Sequence, residues 1–303
     1  MMDLKDYPDL KYDFFDNKYT TGYNKEMEHL NSAEAQFTYL SKVMGAQTRP
    51  LSLITLHVFR YYKEPVEDYD LIRILENARQ GRRVPTSDSF KDCQVLEASG
   101  LCVSSEVDSF YRGTQRHTRE FRLTKLGAAS LQAYKAYENT LIEPFLENAS
   151  SQMVDVLGEK GAERMAKVTL FTPLLDDMGL GNMADHVLEN LDLLQKEYGQ
   201  QRELYGIPSI LGILKAQSIA SNISKLFALS RENQLPESLR SVINRNYQID
   251  EASNSQEMYR WNLIENDVTG TVGITPLGED SLRAFNTYYL VLEQPLQEAL
   301  QSR

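Results

Sequence analysis

Residues 123–148 read LTKLGAASLQAYKAYENTLIEPFLEN, and residues 274–299 read ITPLGEDSLRAFNTYYLVLEQPLQEA. At a constant offset of 151 positions the two stretches share ten identical residues without a gap, among them Gly127 with Gly278. Self-similarity over this length indicates that one supersecondary unit occurs twice in the chain. The rest of the sequence can therefore be compared copy against copy.

The similarity continues upstream of both stretches, where the offset is near 166. EPVEDYDLIRILENA aligns with NQLPESLRSVINRN, and PLSLITLHVFRYY aligns with QSIASNISKLFALS. The two offsets differ by 15 residues, and the difference falls around YRGTQRHTREFRLTKLG, residues 111–127. That segment holds four arginines, one lysine and one histidine against one glutamate, so the first copy carries a basic insertion that the second copy lacks.

Three short helices are predicted at the start of the first copy. Leucine, isoleucine, valine and phenylalanine recur at helical spacing in 52–62, and leucine and isoleucine do so in 68–77. A third helix is predicted from Thr86 or Ser87, which are good N-cap residues, to Gly100, where the chain can leave the helix.

A β-hairpin and a long helix are predicted to follow. The strand-like runs LCVSSEVDSFY and HTREFRLT flank RGTQR, a turn that contains a glycine. A long amphipathic helix is then predicted from Lys125 to about Ala149, and its counterpart begins near Gly278. The matched prolines Pro144 and Pro295 lie late in these two helices, which suggests a shared packing role.

Three helices, a hairpin and the transition LT.LG…L.AY into a long helix resemble the winged helix-turn-helix fold. The closing pattern is similar to that of the MarR and PadR groups of bacterial and archaeal regulators, and the resemblance covers 50–148 and 217–300. It implies a mainly α fold with small β-hairpin wings (α+β), in which two winged helix-turn-helix repeats are joined by a helical linker. It also implies that the two long helices pack against each other or form a homodimer interface.

The chain has 303 residues, which is enough for two domains. The pattern predicts four segments: a flexible, acidic and aromatic tail at 1–22, a first winged-helix domain with a helical lead-in at 23–150, a helical linker at 151–216, and a second winged-helix domain with a short wing at 217–303.

No catalytic or metal-binding motif stands out in the sequence. The chain has no P-loop, no G-x-G-x-x-G after a strand, no H-E-x-x-H and no G-x-S-x-G. Its two cysteines, Cys93 and Cys102, do not form a metal cage, and we expect them to be buried free thiols. We therefore expect a protein without enzymatic activity, cofactor or metal.

The apolar runs and the N-terminal stretch predict a cytoplasmic protein without a membrane partner. No apolar run in the sequence approaches the roughly 20 residues that span a bilayer. The first residues are acidic and interrupted by proline, which is unlike a secretory signal peptide.

Nucleic-acid binding has a physical basis in the first copy. In a winged helix the third helix enters the major groove, and cations on both sides of that helix would neutralise phosphates. The segment 79–125 holds nine basic residues against six acidic ones. The predicted DNA-contacting residues are Arg79, Arg82 and Arg83 before the third helix, Ser87, Ser89, Lys91 and Gln94 on it, and Arg112, Arg116, His117 and Arg119 at the wing.

Other features weigh against DNA binding. The formal net charge of the chain is −11, and Asp88 and Asp92 on the third helix are expected to weaken phosphate contact. The arginines at 79–83 could also form a solvated helix end, where cations suit the helix dipole. In the second copy the wing shrinks to NDVTGTVG, so Tyr259 and Trp261 are candidate anchors for a protein partner, unless Trp261 lies in the core.

Two classes of function remain open from the sequence. In the first, the protein is a transcriptional regulator or nucleoid-associated factor whose first copy contacts double-stranded DNA and whose second copy serves dimerisation or protein contacts. In the second, it is an acidic tandem winged-helix scaffold, similar to the kite subunits of SMC-type complexes, or a replication initiator. The basic insertion favours the first class, because a scaffold has no evident need for an arginine-rich wing.

Overall fold

The computed structural model describes residues 32–49, 52–62, 65–78, 86–111, 114–168, 210–230, 236, 238–240, 242 and 255–301. Within these ranges the chain is mostly helical and holds two small antiparallel sheets, as a mainly α fold with small β-hairpins requires. The predicted tail at 1–22 lies outside them. No helix in the described ranges combines the length and the apolar character needed to cross a bilayer.

Four helices and a short strand precede the first hairpin. They are α1 (Ser32–Gln47), α2 (Ser52–Tyr61), β1 (Val66–Glu67), α3 (Asp68–Ala78) and α4 (Thr86–Ala98). The three helices predicted for the first copy are thereby confirmed as α2, α3 and α4. The chain leaves α4 where predicted, because Gly100 adopts a φ of 74° and the Leu101 amide donates to the Leu96 carbonyl at 2.9 Å.

The predicted first hairpin is confirmed and is longer than its sequence pattern indicates. β2 (Cys102–Tyr111) and β3 (Thr114–Leu123) pair antiparallel from Cys102↔Leu123 to Tyr111↔Thr114. The pattern predicts that the second strand begins at His117, but the pairing register continues unbroken to Thr114. β1 pairs with β3 on its other side, so the sheet order is β1-β3-β2.

The long helix that follows, α5 (Lys125–Val168), extends beyond its predicted end. The prediction of an end near Ala149 is wrong, since the helix continues through position 150 and holds Pro144 in its interior. Residues 150–168 contain no proline, and their alanine, glutamate, lysine and methionine residues favour a helix. The boundary predicted at 150 therefore falls inside α5.

The second half contains shorter elements in a similar order. α6 (Ile210–Gln217) lies in the predicted linker, and Ile210, Ile213 and Leu214 are buried. The remaining elements are α7 (Ala220–Leu229), helical residues at 238–240 and 242, α8 (Ser255–Arg260), β4 (Ile264–Asn266), β5 (Val272–Ile274) and α9 (Pro276–Gln301). β4 and β5 form a hairpin with three residues in each strand, so the prediction of a shorter second hairpin is confirmed.

The first turns of α5 and α9 make the same hydrogen bonds. The Gly127 amide donates to the Thr124 hydroxyl at 3.0 Å, and the Gly278 amide donates to the Thr275 hydroxyl at 3.0 Å. Neither glycine has room for a side chain, because a Cβ would lie 2.0 Å or 2.2 Å from a carbonyl oxygen of the segment that precedes each hairpin. The shared pattern T.LG, which reads LTKLG at 123–127 and ITPLG at 274–278, thus marks two places where a helix begins in close contact with backbone.

The long helices α5 and α9 pack along each other within the single chain. One apolar core joins both halves of the described chain, and the largest of its fully buried side chains include Tyr39, Tyr134, Tyr137, Tyr288 and Tyr289. The prediction that the two long helices pack against each other is therefore confirmed.

Candidate nucleic-acid interface

The helix α4, predicted to contact DNA, has distinct inner and outer sides. Cys93 and Leu96 are buried in the core, whereas Lys91 is exposed and Gln94 is half-buried. Lys91 and Gln94 lie three residues apart, so they share the outer side of the helix. The structure therefore places these two predicted contact residues together on a solvent-facing surface.

The carboxylate of Asp92 points into the protein. Its Oδ1 lies 2.6 Å from Nε of Arg49, which follows α1, and the Asp92 side chain is almost fully buried. A buried and paired carboxylate adds little charge to the outer side of α4, so this placement argues against the expectation that Asp92 weakens phosphate contact. Asp88 lies in α4, but its side chain is outside the described part.

Arg119 connects the first hairpin to α4. Its Nη2 lies 3.4 Å from Oε2 of the buried Glu97, whose other oxygen accepts a hydrogen bond from the Ser104 hydroxyl at 2.6 Å. The Arg119 guanidinium carbon also lies 5.8 Å from the centroid of the Phe121 ring. The Arg119 side chain is 38% exposed, and its contact with Glu97 holds the hairpin against α4. The sequence predicts Arg119 as a phosphate ligand, but the structure pairs its guanidinium with a carboxylate of the same chain.

Near the tip of the first hairpin, one face of the sheet pairs a basic group with an acidic one. His117 lies directly across from Asp108 in the strand register, and its Nδ1 is 2.5 Å from Asp108 Oδ1. Gln115 donates to the other oxygen of Asp108 at 3.1 Å. His117 is well exposed, as predicted, but the adjacent carboxylate reduces the attraction of this face for phosphate.

The opposite face of β3 carries Arg116. Its guanidinium carbon lies 5.6 Å from the centroid of the Tyr69 ring, and Tyr69 is 50% exposed at the start of α3. Arg122 is exposed and shares the face of Arg116, because residues six apart in a strand point the same way. Glu120 lies between the two arginines and is half-buried.

Tyr69 and Arg122 are candidate contact residues that sequence reasoning missed. The alternation of β3 is visible in the sequence and places Arg116 and Arg122 on one face. Tyr69 had no such signal, because its approach to Arg116 depends on the packing of α3 beside the sheet.

Several predicted contact residues cannot be placed in this surface. Ser87 and Ser89 lie in α4, and their side chains are outside the described part. The cluster that precedes α4 and the tip of the hairpin are also outside it, namely Arg79, Arg82, Arg83 and Arg112.

In the second half, the indole of Trp261 is held by its own chain. Its Nε1 donates to Glu257 Oε2 at 2.9 Å, and the ring packs so closely on α6 that a Cβ on Gly212 would lie 2.5 Å from it. The Arg260 guanidinium carbon lies 5.1 Å from the ring centroid. Trp261 thus packs against the core, whereas Tyr259 is exposed and donates to Asn266 Oδ1 at 2.8 Å.

The turn of the second hairpin carries a negative charge at its tip. Asp267 Oδ1 accepts hydrogen bonds from the Thr269 hydroxyl at 2.6 Å, the Thr269 amide at 2.8 Å and the Thr271 amide at 2.9 Å. These bonds lower the pKa of Asp267 below its ordinary value, the Thr269 hydroxyl being the largest cause. Val268 beside it is fully exposed.

Both cysteines are buried and free, as predicted. Burial, followed by the charge of Asp92, raises the pKa of the Cys93 thiol to about 12. A thiol with so high a pKa is a poor nucleophile. In the described ranges no group of histidine, cysteine, aspartate or glutamate is arranged to hold a metal ion.

No family model matches the chain, and the comparisons with curated proteins and with solved structures found no match either.

Proposed function

We propose that the chain is a double-stranded-DNA-binding protein, a transcriptional regulator or nucleoid-associated factor built from two winged helix-turn-helix repeats. DNA contacts the outer side of α4 and the Arg116 face of the first hairpin, and the second half serves contacts with the first half or with a protein partner. In this role the protein acts in the cytoplasm and needs no cofactor or catalytic group.

The repeat part of this proposal is supported by the matched turns at the start of α5 and α9. The Ser130 hydroxyl donates to the Gly127 carbonyl at 2.8 Å, and the Ser281 hydroxyl donates to the Gly278 carbonyl at 2.7 Å. Each half also ends the helix before its hairpin with a residue at positive φ, which is Gly100 in one half and Asn262 in the other.

The observation that carries the DNA-binding proposal is the inward placement of Asp92 and Glu97, the two acidic residues of α4 whose side chains the structure describes. Asp92 and Glu97 are buried against arginines from other elements, so neither adds an exposed charge to the side where Lys91 lies. The net charge of −11 describes the whole chain, but exposed charges more than about 8–10 Å apart are largely screened at physiological salt. A local surface can therefore attract phosphate on an acidic protein.

A fluorescence anisotropy titration with a fluorescein-labelled random-sequence duplex tests the proposal. Lys91→Ala and Arg116→Ala should each weaken binding to all sequences alike and lower the slope of log affinity against log salt by about 0.9 per lost phosphate contact. The titrations should span roughly 50–200 mM salt, where such contacts change affinity strongly. Gln94→Ala should instead change which sequence is preferred, because this side chain would face base edges.

Two control variants sharpen this experiment. Arg260→Ala removes one positive charge from the second half and should leave the salt slope unchanged. Arg119→Ala should lower the midpoint of urea unfolding, because Arg119 is paired with the buried Glu97. It should not reduce the slope of log affinity against log salt. If the Lys91 and Arg116 variants fold normally and bind duplex DNA as the parent does at every salt concentration, neither residue contacts DNA.

That result would favour a second candidate function, an acidic tandem winged-helix scaffold similar to the kite subunits of SMC-type complexes, or a replication initiator. The outer side of the second half favours this candidate. It presents Tyr259, 37% exposed, together with the exposed Val268 and the carboxylate of Asp267. A surface of this kind suits a protein partner better than phosphate.

A further inference from the structure

Two buried glutamines connect the halves of the chain in a reciprocal way. Gln47, the last residue of α1, donates from Nε2 to the Ser130 carbonyl of α5 at 2.9 Å, and its Oε1 accepts the hydroxyl of Tyr288 from α9. Each end of this side chain therefore contacts a different long helix.

Gln217, the last residue of α6, makes the corresponding contacts in the opposite direction. Its Nε2 donates to the Ser281 carbonyl of α9 at 2.9 Å, and its Oε1 accepts the hydroxyl of Tyr137 from α5 at 2.7 Å. Ser130 and Tyr137 lie 151 positions before Ser281 and Tyr288, the offset of the sequence repeat. Each glutamine thus contacts the long helix of its own half through its amide nitrogen and the other half through its oxygen.

This reciprocity is the mark of an isologous interface, in which residue i contacts j and j contacts i. The rings of Tyr137 and Tyr288 meet each other at the centre of the exchange, with centroids 6.1 Å apart and planes at 86°. In a homodimer with two-fold symmetry such an interface forms between two chains. Here one chain supplies both sides.

Separating α5 from α9 so that a second copy of the chain could bind between them would be energetically costly. Gln47, Gln217, Tyr137 and Tyr288 are all buried. Breaking these hydrogen bonds would leave buried polar groups without partners, which is costly. A homodimer that used α5 and α9 as its interface would first have to separate them.

The second half differs from the first where DNA would lie. The cation of α8, Arg260, lies 3.8 Å from Glu257 and stacks on Trp261. The tip of the second hairpin carries the carboxylate of Asp267, which faces solvent. The described residues of the second half therefore occupy the place of a second subunit, and their charges at this surface favour phosphates less than those of the first half.

We propose that one chain is the complete DNA-binding unit and that it recognises a single asymmetric duplex element, with the second half acting as a built-in partner that does not contact DNA. This inference rests on the DNA-binding function proposed above. A symmetric helix-turn-helix dimer instead reads two half-sites about 10 bp apart, arranged as an inverted repeat.

Sedimentation velocity of the full chain, free and with labelled duplexes, tests the inference. One duplex carries a single copy of the element enriched from a random duplex library, and the other carries that element as an inverted repeat with centres about 10 bp apart. We expect a free monomer of 34.7 kDa, one chain on the single-element duplex, and independent binding of two chains to the inverted repeat.

Other outcomes separate the two proposals. A dimeric free chain, two chains on the single element, cooperative binding to the inverted repeat, or a library enriched in inverted repeats would overturn the single-chain inference and leave DNA binding intact. Failure to bind any duplex at low salt would overturn both proposals.

Discussion

Replacing Tyr137 with phenylalanine removes one hydroxyl from the contact between the two halves and leaves the ring in place. That hydroxyl donates to Gln217 Oε1 at 2.7 Å, and both residues are buried. Because the ring remains, its edge-to-face contact with Tyr288 is preserved. The substitution therefore isolates one hydrogen bond that crosses between the halves.

The expected cost follows from the acceptor that is left behind. The Gln217 oxygen would lose the donor contributed by α5 while staying buried, and a buried polar group without a partner costs about 1–3 kcal/mol. Tyr288→Phe should cost a similar amount, because the Tyr288 hydroxyl donates to Gln47 Oε1 in the matched position.

Tyr134→Phe provides a control on the same helix. Tyr134 is as deeply buried as Tyr137, but its hydroxyl has no hydrogen-bond partner within the described residues. Removing an unpartnered buried hydroxyl should leave the free energy of unfolding unchanged or raise it by up to about 1 kcal/mol. Each substitution deletes one buried tyrosine hydroxyl, so the difference between their changes in the free energy of unfolding measures the hydrogen bond of Tyr137.

Urea unfolding followed by circular dichroism measures both variants. With a slope of about 3 kcal/mol/M, a loss of 1–3 kcal/mol lowers the midpoint by about 0.3–1 M. An unchanged slope would indicate that the native and unfolded states keep their exposed surface. If Tyr137→Phe and Tyr134→Phe shift the midpoint equally, the crossing hydrogen bond does not hold the halves together and the reasoning fails.

Two further predictions concern the helix start and the buried ionisable groups. Gly127→Ala should destabilise the fold by several kcal/mol, since its Cβ would lie 2.0 Å from the Leu101 carbonyl oxygen. The Cβ of Gly45→Ala in α1 would make only an ordinary van der Waals contact, 3.8 Å from the Ser218 hydroxyl oxygen, so this substitution should stabilise the protein by roughly 0.5–1 kcal/mol. Equal melting temperatures of the two variants would refute this. Burial raises the pKa of Tyr289 to about 12 and that of Cys93 to about 12, so the neutral forms stabilise the folded state. Their contributions are complete below the unfolded pKa values of about 10 and 8.5 and are lost as pH rises towards 12. The urea midpoint should therefore fall from about pH 8.5 upward, and a midpoint that is constant up to pH 11 would contradict this.

Much of the local structure could be predicted from the sequence because short-range patterns control it. The spacing of apolar residues marks α2 and α3, and a single glycine sets the end of α4. The shared T.LG pattern predicts two helix starts, and in both cases a glycine is required by close backbone contact. These features depend on residues within a few positions of each other, so a short segment of the chain is enough to predict each of them.

The candidate site was only partly predictable, since charge in the sequence does not reveal which side chains face solvent. Asp92 and Glu97 are neighbours of Lys91 in the chain, yet both point inward to Arg49 and Arg119, which lie 43 and 22 residues away. Arg119 lies in a basic stretch of the sequence and is therefore predicted to bind phosphate, but its side chain contacts Glu97 and links the first hairpin to α4.

The sequence by itself showed that residues 123–148 and 274–299 are similar and that only the first of these regions carries the basic insertion, and it predicted a helix–hairpin–helix order in both halves. It could not determine whether the two long helices pair within one chain or between two, because the same apolar faces serve either arrangement. The tertiary structure decides this through contacts between residues far apart in sequence, such as the hydroxyl of Tyr288 on the side chain of Gln47, 241 positions away. Burial stabilises the packing of the two long helices within one chain, because the hydrogen-bonding groups are excluded from water and have no alternative partners.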